Sequence, residues 1–398
     1  MVTIEEKEFR SIINSYKMID SWFWIKYSLN PYQGCEFSCT YCDARSHKYH
    51  IHPEFDQKII IKKNAAAMLD KRISRSRTLL PDVVGMAGVC DPYQPVEKEL
   101  EQTRSILRVI EKHRWPVHII TKSPLVLRDI ELIEPIARHT WATVSFTITT
   151  LDLELAAFLE PKAPPPQERL NTLRTMKKQH PSIQTGILMM PIVPFLEDDP
   201  NAIETVVREA KHAGAEYILF SPGMTMRDDQ ALWFMKELGR RYPELVPKYE
   251  ELYGFTNTKG KYAGSYSPQK SYGDGVATAI LSILEKYEMP FRMKRFIPND
   301  FRRLNYIIAE KLLNTSFDLK IAGKQWKKQF WVGHNIENLK ESVEDIERRG
   351  GLGEIRGMNE EIRSFILREL NGRSGDVSGS FEAMNDHSRN NQMRLDEY

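Results

Sequence analysis

Between residues 24 and 221 the sequence alternates short apolar runs with longer amphipathic stretches. Six predicted strands are rich in β-branched or aromatic residues: 24–29, 82–88, 116–122, 141–149, 183–190 and 216–221. The helices predicted between them carry apolar residues at three- and four-residue steps: 65–76, 97–113, 128–139, 167–179 and 201–213. Asn201 is the predicted N-cap of the last helix, and Gly214 ends it. This alternation favours a parallel sheet covered by helices.

Six βα units joined by right-handed crossovers curl into an incomplete barrel. Such a barrel uses about 200 to 250 residues, and the chain has 398. We therefore predict an α/β fold in which a partial (β/α)6 barrel spans 25–227. An N-terminal extension, 1–24, precedes it, and a mixed, mostly helical C-terminal extension, 228–372, and a disordered tail, 373–398, follow. Within the extension we expect helices at 228–254 and 277–286 and a lid-like loop at 257–268.

Composition narrows the class of protein. A chain with 41% hydrophobic and 28% charged residues is typical of soluble globular proteins, and a net charge of +2 gives no global attraction to nucleic acid. Every apolar run is shorter than the ~18 residues that span a bilayer, so we expect no membrane association. The charged first residues lack the apolar core of a secretory signal. We therefore predict a cytoplasmic protein, in a compartment where thiols stay reduced.

Three of the four cysteines, Cys35, Cys39 and Cys42, have the spacing C-x-x-x-C-x-x-C. Thiolates hold iron–sulfur clusters, and three ligands for four irons would leave one iron open to a substrate or cosubstrate. The alternative is a closed zinc site completed by a histidine from the set His47, His50 and His52. Zinc sites more usually combine a C-x-x-C pair with a second, distant pair.

Polar residues follow the predicted strands. The cysteine loop comes after the first strand, and Cys90 and Asp91, Lys122, Thr149 and Pro191 come after the next four. The carboxyl ends of parallel strands meet at one mouth of a barrel, so these side chains are expected to converge. Each one by itself is also a common turn former.

Residues 286–334 form a local basic region with eleven Lys or Arg against four Asp or Glu. Aromatic residues interleave with these cations: Phe291, Phe296, Phe301, Tyr306, Trp326, Phe330 and Trp331. Aromatic rings beside cations suit nucleic acid. The alternative is a solvated helix face over a small aromatic core.

The pattern C-x-x-x-C-x-aromatic-C, formed by Cys35, Cys39, Tyr41 and Cys42, resembles the signature of the radical S-adenosylmethionine (SAM) superfamily. Further stretches resemble the spore photoproduct lyase branch: 91–97, 121–128, 147–152 and 159–170. The likeness covers roughly residues 25–225, a length that suits one α/β barrel. Nothing comparable covers 255–398.

The resemblance implies a [4Fe-4S] cluster on Cys35, Cys39 and Cys42, with SAM on the open iron. An external one-electron reductant such as flavodoxin or ferredoxin would supply the electron that cleaves SAM to a 5'-deoxyadenosyl radical. That radical would abstract hydrogen from a substrate, so the resemblance implies an enzyme.

The resemblance also implies roles for individual residues. Tyr41 is expected to stack near the adenine, Lys122 to neutralise the SAM carboxylate, and Thr149 to hydrogen-bond the ribose or methionine portion. Cys90 falls near the lyase cysteine that donates hydrogen to the product radical. Asp43 stands where the lyase has tyrosine, so a tyrosyl relay does not carry over.

Three functions remain open on the sequence. The first is a radical SAM enzyme acting on nucleic acid or another large substrate, partly bound by 286–334. The second keeps this chemistry but acts on a peptide or metabolite. The third is a non-catalytic zinc or cluster protein that binds nucleic acid through the same region.

Overall fold

The computed structural model describes residues 2–86, 88–258 and 260–371. They separate into two compact units, one extending to Lys294 and the other beginning at Arg295. The barrel domain predicted from the sequence ends earlier, at residue 227. The basic region 286–334 includes residues of both units. None of the helices in the described ranges has the length and apolarity needed to cross a membrane.

The elements of the first unit alternate along the chain. The strands are β1 (Thr3–Lys7), β2 (Ile13–Ser15), β3 (Tyr27–Leu29), β4 (Tyr32–Gln33), β5 (Lys58–Lys62), β6 (Val84–Met86), β7 (Val117–Thr121), β8 (Ala142–Thr147), β9 (Gln184–Ile192), β10 (Ile218–Pro222), β11 (Thr256–Thr258) and β12 (Lys261–Ala263). The helices are α1 (Ala65–Arg75), α2 (Glu97–Leu100), α3 (Gln102–Lys112), α4 (Ile130–His139), α5 (Leu153–Leu159), α6 (Pro166–Gln179), α7 (Pro200–Ala213), α8 (Asp228–Arg241), α9 (Val246–Tyr253) and α10 (Lys270–Lys286).

The main sheet has the strand order β10-β9-β8-β7-β6-β3-β2. Each neighbouring pair from β3 to β10 is parallel, and β2 adds an antiparallel edge. The parallel strands coincide with the six predicted from the apolar runs, which confirms the partial (β/α)6 barrel. A second sheet, β1-β5-β4, includes the segment just before the cysteines, and β11 pairs with β12.

Several element boundaries differ from the predictions for local reasons. The first barrel strand begins at Tyr27 because Trp24 has a left-handed backbone with φ 54°. The predicted helix 97–113 is broken at Glu101, which has φ 48°. Asp199, not Asn201, caps α7, since its carboxylate accepts the N–H groups of residues 201 and 202. Gly214 ends that helix with φ 91°, as predicted.

The region after the barrel also differs from the prediction. The expected helix 228–254 is two helices, α8 and α9, separated by a short 3-10 turn that begins at Pro243. The expected loop 257–268 contains part of the β11–β12 hairpin, and α10 begins at Lys270, seven residues earlier than predicted. The predicted disordered tail, 373–398, lies outside the described residues.

The helices after the barrel help to bury the cysteine loop. Phe234 of α8 and Tyr249 of α9 share a hydrophobic cluster with Phe37, Cys39 and Tyr41. Apolar side chains from both regions thus leave water together, which ties 228–253 to the barrel. This shared core explains why the first unit continues beyond residue 227.

The second unit is helical in its described part. Its helices are α11 (Arg303–Ile321), α12 (Lys327–Glu337), α13 (Val343–Arg348) and α14 (Glu360–Asn371). Ile308, Val332, Ile336, Val343 and Ile366 belong to one buried cluster to which all four helices contribute. The predicted helical extension is therefore confirmed.

Candidate active site

The cysteine loop is held by its backbone at both ends. The N–H of Cys35 donates to the carbonyl of Phe55 at 2.9 Å, and that of Thr40 donates to the carbonyl of Leu159 at 2.8 Å. Gly34, just before the first cysteine, has φ 93°, and a Cβ there would lie 2.6 Å from the carbonyl oxygens of Phe55 and Lys58. Only glycine avoids that overlap, so this residue lets the loop pass close to the neighbouring backbone.

Of the three cysteines of the loop, Cys39 is buried and Cys35 and Cys42 are half-buried. Burial raises the pKa of Cys39 to about 12 and also raises the pKa values of Cys35 and Cys42. A buried thiol loses its proton when a metal binds it, because the cation compensates the negative sulfur. Three thiols close together on one loop are therefore a donor set that fits a thiolate-ligated cluster.

The described residues contain no group of three or more His, Cys, Asp or Glu side chains arranged to hold a single metal ion. A cluster presents a different iron to each thiol, so its ligands need not converge on one point. His47, one of the histidines that a zinc site could use, is exposed and lies 3.1 Å from Asp229.

Glu160 connects the cysteine loop to the barrel strands. Its buried carboxylate accepts hydrogen bonds from the Tyr41 hydroxyl and forms an ion pair with Arg169 at 2.5 Å. Lys122 Nζ lies 3.7 Å from the same carboxylate and 5.7 Å from the centre of the Tyr41 ring. Two of the predicted SAM-binding residues, Tyr41 and Lys122, are thus brought together around a carboxylate that sequence reasoning did not single out.

Asp91 positions the strand end that carries Lys122. Its carboxylate accepts the Lys122 N–H and the Thr121 hydroxyl, both at 2.7 Å, and the Tyr93 N–H at 2.8 Å. Burial alone would lower the pKa of Lys122, but the negative charges of Cys39 as a thiolate and of Glu160 as a carboxylate raise it. Lys122 is therefore a fixed cation beside the cysteine loop.

Thr149 is buried two residues beyond the end of β8. Its neighbour from the next strand end is Glu197. Burial raises the pKa of Glu197 to about 8, although hydrogen bonds from the Thr149 side chain and the Val193 N–H favour the charged carboxylate and lower it.

Cys90 lies beside the cysteine loop but faces an apolar environment. It is buried in a cluster with Tyr32, Ile59 and Ile61, and Cys35 packs against the same cluster. Its sulfur is 3.9 Å from Asn30 Oδ1, and burial raises its pKa to about 12. The thiol is thus kept protonated, as a hydrogen donor must be.

Asp43, which follows the last cluster cysteine, is occupied by neighbours. Its carboxylate accepts hydrogen bonds from Tyr49 at 2.6 Å and from Thr225 at 3.1 Å, and it forms an ion pair with Arg227. The Arg227 guanidinium lies 5.2 Å from the ring centres of Tyr49 and Tyr266. Directly after the last cysteine, this chain therefore has an ion pair that links the cysteine loop to the segment after β10.

A cavity of about 270 Å³ lies beside α5 and the proline-rich segment that follows it. Glu160 and Arg169 form part of its wall, together with Leu153, Ala156 and Pro164. The ion pair that contacts the cysteine loop through Tyr41 therefore also borders open space.

The basic region 286–334 is divided by burial. Phe296 and Tyr306 are buried, and the Arg295 guanidinium lies 4.2 Å from the Tyr306 ring centre and pairs with Glu337. In contrast, Trp331 is 51% exposed. The aromatic-core interpretation thus applies to the first part of the region and the surface interpretation to its end.

Sequence reasoning missed three charged residues near the cysteine loop: Glu160, Arg169 and Glu197. Glu160 and Arg169 fall inside the matching stretch 159–170, where a charged pair flanking three successive prolines was the available signal. Glu197 begins an acidic run that directly follows the apolar segment 187–196. A carboxylate beyond a strand end is the pattern that would have indicated it.

The chain is similar in sequence to known proteins. Residues 29–195 match the sequence model of the radical SAM superfamily. An uncharacterized protein of Mycobacterium tuberculosis is 29% identical over 268 residues, which are 66% of this chain and 75% of that protein. A protein of Methanocaldococcus jannaschii is 30% identical over 187 residues, covering 47% of this chain and 66% of the relative.

Among solved structures, a variant of spore photoproduct lyase superposes with a TM-score of 0.53 at 15% identity, covering 72% of this chain and 79% of the lyase. The lyase complexed with a dinucleoside spore photoproduct gives a TM-score of 0.51 at 14% identity with the same coverage. At this identity the likeness concerns the fold. The chain therefore carries a domain of the radical SAM superfamily, built on the fold of spore photoproduct lyase.

Proposed function

We propose that the protein is a radical SAM enzyme that binds a [4Fe-4S] cluster through Cys35, Cys39 and Cys42. The observation that carries this proposal is the set of three thiols on one anchored loop, that of Cys39 buried and those of Cys35 and Cys42 half-buried, beside the fixed cation of Lys122. When bound, the reduced cluster supplies the electron that cleaves SAM to a 5'-deoxyadenosyl radical, which abstracts hydrogen from the substrate. Flavodoxin or ferredoxin would be the electron donor, and the cytoplasm the compartment that keeps the thiols reduced.

The chain's own residues would bind and orient SAM. Lys122 is a compact positive charge suited to the SAM carboxylate, and the carboxylate of Glu160 holds it in place. Tyr41 would stack near the adenine, and Thr149 would donate or accept a hydrogen bond at the ribose or methionine portion. The aromatic residues of α8 and α9 exclude water around the loop, which protects a radical from side reactions.

The test begins with anaerobic reconstitution followed by iron and labile-sulfide analysis. We expect about four irons and four sulfides per chain in the wild type, and formation of 5'-deoxyadenosine from SAM on reduction. Cys42→Ala should lose both, whereas the matched control Cys90→Ala should keep the cluster because Cys90 is no proposed ligand. Zinc without labile sulfide, or undiminished 5'-deoxyadenosine from Cys42→Ala, would contradict the proposal.

For the substrate, we infer a nucleic acid held partly by the second unit. A surface patch near the start of α12, here called the tryptophan patch, supports this inference. It consists of Lys324, Trp326, Lys327, Lys328, Phe330 and Trp331. The Phe330 ring packs edge-on against both Trp326 and Trp331, at 5.6 and 5.2 Å between centres, which fixes the aromatic residues beside the lysines.

Exposed rings beside lysines suit single-stranded nucleic acid, because bases stack on the rings while the cations neutralise phosphates. Trp331→Ala should weaken binding of a fluorescent single-stranded oligonucleotide by roughly fivefold to a hundredfold, the range of one stacking contact. Phe301→Ala, an aromatic residue that is 40% exposed outside the patch, is the matched control. Equal affinities for Trp331→Ala and the wild type would exclude the tryptophan patch as a binding surface for nucleic acid.

Isotope transfer distinguishes a nucleic-acid substrate from a peptide or metabolite substrate. The reconstituted enzyme is incubated separately with deuterated lesion-bearing DNA, deuterated RNA and deuterated cell-extract fractions, and deuterium in 5'-deoxyadenosine is measured. We expect transfer from a nucleic acid. Transfer only from a peptide or metabolite fraction would move the proposal to the second function left open by the sequence.

A further inference from the structure

A buried arginine side chain, that of Arg45, lies directly beside the cysteine loop. Its backbone N–H donates to the carbonyl of Cys42 at 3.2 Å. Its guanidinium donates from Nη2 to the hydroxyl of Ser38, a residue between the first two cysteines, at 3.4 Å. Only 6% of the side chain is exposed. The positive charge is therefore placed against the segment that carries the three thiols.

Two aromatic rings hold the guanidinium in place. Its central carbon lies 4.0 Å from the ring centre of Trp233 in α8 and 4.6 Å from that of Phe55. The carbonyl of Phe55 is also the acceptor for the Cys35 N–H, so the same residue contacts the loop and the cation. Aromatic rings attract a cation through their π-electrons and keep water away from it. The position of the charge is thus fixed relative to the loop.

The charge of Arg45 is only partly neutralised. The carboxylate with which it pairs, that of Asp56, is 3.7 Å from Nη2 and makes a closer contact, at 2.6 Å, with the Ser38 hydroxyl. The Arg45 Nε hydrogen meets no acceptor in the described part of the chain. Burying a cation with so loose a partner costs stability, so the group calls for an explanation.

Electrostatic interaction links this charge to the cysteine sulfurs. Burial lowers the pKa of Arg45, whereas negative charge on Asp56, Cys42 and Cys39 raises it. Arginine keeps its proton at neutral pH despite such a shift. The guanidinium is therefore a permanent cation whose field reaches two of the three sulfurs.

We propose that Arg45 raises the reduction potential of the cluster held by Cys35, Cys39 and Cys42. The inference rests on the proposed function, because it takes the cluster as bound. Reduction transfers one electron from the flavodoxin- or ferredoxin-type donor and makes the site more negative by one charge. A fixed cation in surroundings poor in water stabilises that added charge, and the potential of an iron–sulfur centre depends on the charge around it. Arg45 thereby eases electron uptake at the loop.

The experiment measures a potential and needs no turnover. The cluster-loaded full chain is titrated anaerobically with a reductant in the absence of SAM, and the EPR signal of the reduced cluster is followed. Arg45→Gln removes the charge but keeps a donor for the Ser38 hydroxyl, and Arg45→Lys keeps the charge. Arg138→Gln is the matched control, because Arg138 is exposed and lies near the end of α4. That helix ends where β8 is about to begin, at the opposite end of the sheet from the cysteine loop.

We expect Arg45→Gln to lower the ratio of reduced to oxidised cluster at a given potential by roughly threefold to tenfold. A tenfold change is about 59 mV for a one-electron couple. Arg138→Gln should change the ratio by less than about twofold, because salt screens distant exposed charges. Arg45→Lys should recover most of the loss, since the effect depends on the charge. Asp56→Asn should shift the ratio in the opposite direction, because it removes the carboxylate that partly neutralises the cation.

A wild-type titration curve for Arg45→Gln would overturn the inference and leave the proposed function intact. A loss in Arg45→Lys as large as that in Arg45→Gln would also overturn it, because packing and not charge would then be responsible. If Arg45→Gln does not load its cluster, Arg45→Met takes its place, and failure of both to load would assign Arg45 a structural role and overturn the inference. A wild type that binds no cluster would overturn both this inference and the proposed function.

Discussion

Lowering the pH should destabilise the barrel through His118. This residue of β7 is fully buried, with Nε2 2.7 Å from Ser145 Oγ and Nδ1 3.3 Å from the Phe23 carbonyl. The carbonyl can only accept, so Nδ1 carries the hydrogen and Nε2 accepts from the Ser145 hydroxyl. Burial lowers the pKa of His118 from 6.5 to about 4. The structure thus favours the neutral ring.

The sign and size of the effect follow from this shift. Between pH 6.5 and 4 the unfolded chain holds a proton on His118 that the folded chain lacks, so stability falls as the pH falls. A pKa difference of this size predicts a loss of about 2 to 3 kcal/mol between pH 7 and pH 4.5. Below the folded pKa both states are protonated and the effect levels off.

The assay is urea unfolding followed by tryptophan fluorescence at pH 7, 5.5 and 4.5. Wild type and His118→Gln are compared, both without cluster so that acid loss of iron does not contribute. Glutamine does not titrate, so its free energy of unfolding should fall with pH by about 2 to 3 kcal/mol less than that of the wild type. Parallel pH profiles for the two proteins would refute the reasoning, since carboxylates common to both cancel in the difference.

Three further changes test the site. Gly34→Ala should reduce cluster incorporation, because a Cβ there would overlap the carbonyls of Phe55 and Lys58; iron per chain is the measurement, and Gly275→Ala, where a Cβ meets open space, should load normally. Arg169→Met should lower the free energy of unfolding by about 2 to 4 kcal/mol, since the buried Glu160 keeps Tyr41 and Lys122 but loses its arginine, and the carbonyls of Thr147 and Pro164 lose their donor; a loss below about 1 kcal/mol in urea unfolding would contradict the role of that pair. Cys90→Ala should still cleave SAM but change the distribution of products seen by mass spectrometry; an unchanged distribution would exclude Cys90 as the hydrogen donor.

The sequence predicted the architecture well because it depends on local periodicity. Each of the six parallel strands is a short apolar run between amphipathic stretches, and this pattern reports burial on both faces of a sheet. The backbone conformation of single residues could not be predicted as well from the sequence. The break at Glu101 and the late start of β3 after Trp24 depend on left-handed residues that carry no glycine signal.

The candidate site likewise has features that the sequence predicted and features that it did not. Cys35, Cys39 and Cys42 are close in sequence, so their spacing alone indicated a shared ligand. Lys122 and Thr149 could be placed at the mouth because parallel strand ends converge. The partners of these residues could not be predicted. Glu160, for example, contacts Lys122 from 38 positions away in the sequence.

By itself, the sequence determined the barrel, the three thiols and the end of the sheet at which polar residues gather. Tertiary structure decided which charges face one another. It surrounded Glu160 with Tyr41, Lys122 and Arg169, and it paired Asp43 with Arg227. The physical reason is that periodicity encodes burial along one element, whereas the energy of a buried charge depends on groups that distant segments bring to it.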